Sequence, residues 1–309
     1  MLTLEARQHV PTTSPTGLFD FKLWPGSPLP IPQVMSVSEV QIDHGCVFSY
    51  EEPDYQNHFP EEFILREALD LDPKNLERAA HFYKHYGELF APNLKELPIP
   101  DTPELRVKAQ MIGLERKIKL AGLEVVGDQF FTGLEIELHF EAMRFLAETW
   151  IAIKTPGGLE ALAEREFTSE YVKAKREEIL KTTYEGFLDE VMGSEEVMLE
   201  IFWRERRARF VGFLDAALSK FHVGVDLLQE RRASVYSVAC LQLYNLMANH
   251  VPVRVCANET CGRPFSQQIG TAKYGQYRKS GVKYCSKACG KAQNERERRR
   301  RKSPHKNDG

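Results

Sequence analysis

Apolar residues recur three or four positions apart over most of the chain from about residue 60 to residue 250, the spacing of amphipathic helices. "PEEFILREALDL" (60–71) opens on proline and two acids, a favourable helix start. "DPKNLERAAHFYKHYGEL" (72–89) follows, with Asp72 expected as N-cap and Gly87 as stop. Further helices are expected over 101–123, 132–154, 169–192, 194–221 and 226–250. In the fourth, Leu134, Ile136, Leu138 and Phe140 alternate like a strand, but Met143, Phe145, Leu146 and Trp150 continue the pattern as a helix. "EVQIDHGCVFSYEE" (39–52) predicts one or two short strands. Residues 1–34 hold six prolines, which fix φ and remove donors, so an irregular segment is expected. Its Phe19, Phe21, Leu23 and Trp24 suggest that it packs on something. At "NHVPVRVC" the helical pattern ends, because Pro252 disfavours α geometry at Val251. Val253 and Val255 then alternate with Arg254 as in a short strand. The expected organisation is a Pro-rich segment (1–34), a mainly helical domain (35–250), a small basic module (251–302) and a disordered tail (303–309).

Composition places the chain among ordinary globular proteins, at 42% hydrophobic and 28% charged. No apolar run approaches the ~20 residues that span a bilayer. The first residues show no secretory pattern, so a cytosolic, reducing setting is expected. Charge changes the picture more. The formal net charge of −3 divides into +11 over residues 254–309 (15 Lys/Arg, 4 Asp/Glu) and −14 over the rest. An acidic body with a strongly basic end is the asymmetry expected where one end meets a polyanion. The bland alternative is a tail folded back on the acidic body.

The basic end also carries four of the six cysteines. Cys256, Cys261, Cys285 and Cys289 form C-x4-C, a 23-residue spacer and C-x3-C. Zinc takes four thiolates as a tetrahedron, and in a reducing compartment paired cysteines are more often ligands than disulfides. The first pair flanks the polar turn "ANET", and the second is expected to open a helix. One structural Zn²⁺ is the expected cofactor. A module this small, with few apolar side chains, needs such a staple. Four thiolates leave no open position for catalysis. Cys46 and Cys240 stand alone in apolar surroundings and read as buried small residues.

"VPVRVCANETCGRPFSQ" followed by "KYCSKACGKAQNERERRRR" resembles the CGNR-type zinc finger at the C-terminus of bacterial transcription regulators. The matching positions are Cys256, Cys261, Phe265, Tyr284-Cys285-Ser286 and Cys289-Gly290; Lys291-Ala292 stands where that family has Asn-Arg. The resemblance covers about the last 60 residues, with weaker echoes in "LDLDPKNLERAAHFYKHYGEL" and "LYNLMANHVPVRVC". It implies a treble-clef-like, zinc-stabilised DNA-binding end on a helical domain.

The nucleic-acid contacts are expected from Lys283, Lys287, Lys291, Arg296, Arg298, Arg299, Arg300, Arg301 and Lys302. Glu295 with Arg299 and Glu297 with Arg301 are i,i+4 pairs that would neutralise part of this charge. If about six phosphates are met, log K falls with log salt at a slope near −5. Gln267, Gln268, Lys287, Lys291, Gln293 and Asn294 have the chemistry for base edges; Tyr274 and Tyr277 could stack on unpaired RNA bases. DNA is the expected partner, with RNA open and a homo-oligomer through the helical domain allowed. Two rivals stand beside it: an adaptor that docks an acidic protein, and an enzyme housed in the body. For the enzyme, Glu135, Glu137, His139 and Glu141 cluster, and His81 and His85 stand i,i+4. Neither set has a motif-grade partner, and no phosphate-binding glycine loop or nucleophile elbow is present.

Overall fold

The computed structural model describes residues 15–21, 23, 29, 31–32, 34–56, 63–72, 74–87, 107, 110–115, 117–118, 129–182, 194–219, 221, 233–250, 252–266 and 283–302. Most of the Pro-rich segment, the tail 303–309, and Gln267, Gln268, Lys273, Tyr274, Tyr277, Arg278 and Lys279 lie outside them. The protein is mostly helical with the four cysteines gathered at its C-terminal end, as the pattern led us to expect. No helix among the described residues is long and apolar enough to cross a membrane. The chain forms two compact units, residues 1–23 with 152–212 and residues 24–151 with 213–309.

In the second unit, β1 (Val34–Asp43) and β2 (Cys46–Gln56) make a hairpin longer than the expected 39–52. His44 and Gly45 both have positive φ (48° and 73°), the primed-turn geometry that matches the twist of paired strands. β3 (Gln129–Thr132) adds antiparallel to β2 and runs straight into α3 (Gly133–Lys154). That junction is a capping box: Thr132 Oγ1 accepts the Glu135 N–H at 3.3 Å, and Glu135 Oε2 accepts the Thr132 N–H at 2.8 Å. After the single turn α1 (Phe63–Arg66), α2 (Leu76–Tyr86) ends at Gly87 as expected, but its cap is Asn75, not Asp72. Asn75 Oδ1 accepts the Arg78 N–H at 3.0 Å, whereas Asp72 Oδ1 turns to the Lys74 N–H at 3.1 Å and builds the turn before the helix. α7 (Val235–Ala248) is shorter than the expected 226–250: Ser234 caps it, and Ala233 bridges Val34 instead. α7 is buried almost all round, the mark of a core helix. Its Asn245 amide clamps the backbone of Leu29, donating to its carbonyl at 2.7 Å and accepting its N–H at 2.8 Å.

The first unit holds α4 (Gly158–Glu166), α5 (Ser169–Thr182) and most of α6 (Glu195–Leu218). Its core gathers Phe19, Leu159, Leu162, Leu199, Phe202 and Trp203. Phe19 meets Trp203 edge-on at 6.0 Å, and Phe21 stacks on Phe210 at 5.4 Å, so these two aromatics of the Pro-rich segment pack as expected, while Trp24 lies outside the described residues. Arg206, buried, pairs with Glu166.

Candidate metal centre and its basic helix

The C-terminal module belongs to the second unit. β4 (Val253–Val255) pairs antiparallel with β5 (Pro264–Ser266), which sets Cys256 and Cys261 on the loop between them. That loop is a tight knuckle. The Cys261 N–H donates to the Asn258 carbonyl at 2.8 Å, the Cys256 N–H to the Arg263 carbonyl at 2.9 Å, and Gly262 takes φ 57° to close the turn. The Ala257 N–H reaches the Lys283 carbonyl at 2.9 Å and draws the second cysteine pair alongside.

α8 (Lys287–Lys302) starts one residue after Ser286, so Cys285 precedes the helix and only Cys289 lies within it. Ser286 is the cap: its Oγ accepts the Cys289 N–H at 3.1 Å. The four sulfurs lie within 4.8 Å of one another. Cys261 to Cys285 is 3.6 Å and Cys285 to Cys289 is 3.5 Å. Four sulfurs at ~2.3 Å from one ion would be about 3.8 Å apart, so these separations suit a tetrahedral site. The Cys285 N–H points at Cys256 Sγ at 3.4 Å, a contact that favours a charged sulfur. Without an ion the thiols differ. The Ser286 hydroxyl, then Asn258 and Cys285, hold Cys289 down at about 6, whereas burial and its neighbouring sulfurs push Cys285 up to about 12. Gly290 packs closely on Tyr284: a Cβ there would stand 3.2 Å from the Tyr284 ring. This cluster could bind one metal ion.

The expected nucleic-acid residues separate into two groups. Arg296 reaches from α8 into the knuckle, donating to Asn258 Oδ1 and Thr260 Oγ1, and to Gln293 Oε1 at 3.0 Å. Arg300 holds Glu259 with both terminal nitrogens, at 2.8 and 2.7 Å, and with Gln293 it keeps the Glu259 carboxylate charged down to about pH 2. Gln293, 4% exposed, bonds Glu259, so it is not available to a base edge. Arg298 and Arg299 both lean on Glu295, at 2.9 and 3.1 Å. The expected pair of Glu297 with Arg301 does not form; Glu297 accepts instead from Gln293 at 3.4 Å. Lys283, Lys287, Lys291 and Arg301 are exposed and have no ion pair among the described residues. The side chain of Lys302 lies outside those described.

Sequence reasoning missed Asn258, Glu259, Thr260 and Ser286 as positioning residues. Ser286 had a legible signal, Ser-x-x-Cys ahead of a helical pattern. The others had none, because their partners lie 34 to 41 positions away. In the body, Glu135 is a helix cap, and the His139 Nδ1–H donates to the Glu135 carbonyl at 2.7 Å. His81 and His85 are exposed, with rings stacked 6.1 Å apart. Among the described residues, the four cysteines form the one cluster of three or more ligating side chains close enough for an ion. No protein-family model, curated protein or solved structure matches the chain.

Proposed function

We propose that the chain is a zinc-dependent nucleic-acid-binding protein, a cytoplasmic DNA-binding transcription regulator whose helical body senses a ligand or dimerises. The observation that carries this reading is the convergence of four sulfurs at the foot of a helix bearing eight basic and two acidic residues. Zinc is the ion that four thiolates in a tetrahedron suit best, and harder cations prefer oxygen ligands. The ion would hold Cys256 and Cys261 of the knuckle to Cys285 and Cys289 at the start of α8. The chain's own residues do the rest: Ser286, Arg296 and Arg300 seat the helix, and Lys287, Lys291, Arg298 and Arg301 remain turned to solvent. Such cations meet phosphates and supply affinity without sequence information. The resemblance of the cysteine pattern to the CGNR-type finger supports the same assignment.

The test is duplex binding by the zinc-loaded full chain across a salt series. If the four cations Lys287, Lys291, Arg298 and Arg301 meet phosphates, the slope is near −4. Binding at about 50 mM salt that falls with that slope, and that chelation abolishes, is the expected result. No binding at that salt contradicts the proposal.

A further inference from the structure

α8 is two-sided. At ~100° per residue, Cys289, Gln293, Arg296 and Arg300 fall within an arc of about 60°. All four face the module, as sulfur ligand or as partners of Asn258, Glu259 and Thr260. Lys287, Lys291, Asn294, Arg298 and Arg301 fall within a second arc of about 80°, centred about 150° around the helix. All five are exposed. Lys287, Lys291, Asn294 and Arg301 have no side-chain partner among the described residues, and Arg298 leans only on the half-buried Glu295. The two acids of the helix sit at the margins of this stripe, Glu295 held by Arg298 and Arg299, and Glu297 by Gln293.

Resting on the nucleic-acid reading above, we infer that this outer face is a recognition surface for B-form duplex DNA, with α8 in the major groove, its cations on the flanking phosphates and Asn294 on an adenine edge. The shape selects the partner. From Lys287 to Arg301 the stripe runs about 21 Å along one straight helix. The B-form major groove, about 12 Å wide, admits a helix. The A-form groove of duplex RNA is too deep and narrow for one. The chemistry selects the base. An amide offers a donor and an acceptor side by side, the match for adenine N6 and N7. Gln293 is committed to Glu259, which leaves Asn294 as the neutral amide of α8 turned outward, midway along the cationic stripe. Anchorage of the first turn through Cys285 and Cys289 fixes the rotation of the stripe before any DNA arrives, which lowers the cost of ordering on binding.

The experiment is selection from a library of randomised DNA duplexes by the zinc-loaded full chain, wild type and Asn294→Ala, with zinc content measured on both. Wild type is expected to enrich a short core containing a fixed adenine. Asn294→Ala is expected to keep its zinc, its affinity for unselected duplex and its salt slope, and to lose discrimination at that adenine by about tenfold or more. Lys291→Gln and Arg301→Gln should each reduce the slope by about 1 and leave the selected core unchanged. Identical cores from wild type and Asn294→Ala overturn the inference while leaving nucleic-acid binding standing. So does tighter binding of duplex or single-stranded RNA than of DNA. No binding to any nucleic acid overturns the proposed function along with it.

Discussion

The His139 side chain shows how a single buried group makes the body sensitive to acid. It is 2% exposed, meets Tyr236 edge-on at 5.4 Å and donates through Nδ1 to the Glu135 carbonyl. Burial disfavours the imidazolium and holds its pKa down at about 4, against an ordinary 6.5. The folded state therefore keeps His139 neutral over a range in which the unfolded chain takes up a proton. Stability from this group is intact above pH 6.5 and is lost as pH falls from there toward 4. Between pH 7 and pH 5 the loss is about 2 kcal/mol. Urea unfolding at the two pH values should show it, and His139→Phe should remove about that much of the difference. An unchanged pH dependence in the variant would mean that His139 is solvated or charged in the folded protein.

At the scale of elements, the fold of α8 onto the knuckle depends on side chains that resemble their neighbours in sequence and differ in task. Arg296 bonds two knuckle residues and Gln293, and Arg301 bonds none of the described residues. Arg296→Ala would take the charged donor from the Asn258 side chain, whose residue is 4% exposed, and leave it only the longer Thr260 contacts at 3.3 and 3.4 Å, at a cost of about 1–3 kcal/mol. The expected outcome is a lower melting temperature and faster zinc loss to a chelator, with Arg301→Ala unchanged in both. Equal behaviour of the two variants would contradict the division of the helix into inner and outer faces. The run "NERERRRRK" could not reveal this division, because what separates Arg296 from Arg298 is a knuckle 36 to 38 positions upstream. The cysteine quartet was legible, since ligand spacing is local chemistry written directly in the chain. So were α3, α6 and the β4 strand, where periodicity and proline act within a few residues. α4 was not expected at all. It is nine residues long and opens on Gly158, after Gly157 takes φ 70° to start it. α7 begins at Val235, where Ser234 caps it and Ala233 pairs with Val34; the expected stretch 226–232 lies outside the described residues.

At the scale of the whole molecule, the division of charge, −14 against +11, has two physical outlets: the basic end either neutralises the acidic body or meets an outside anion. The described ion pairs of α8 go to Glu259 and Glu295, both inside the module. Among the described residues, the ion pair between the module and the rest of its unit is Arg263 to Asp70 at 2.8 Å, an exposed pair of a class worth at most about 1 kcal/mol. Under the proposed function the stripe of cations meets an outside anion, provided that the helix bearing it is held in one orientation. In the proposal that condition rests on a single ion gripped by all four cysteines. The direct measurement is metal analysis of the purified chain with X-ray absorption at the metal edge. The account predicts one zinc per chain with four sulfurs at about 2.3 Å and no nitrogen or oxygen ligand. A chain without bound metal, or an ion held by fewer than four sulfurs, would contradict it.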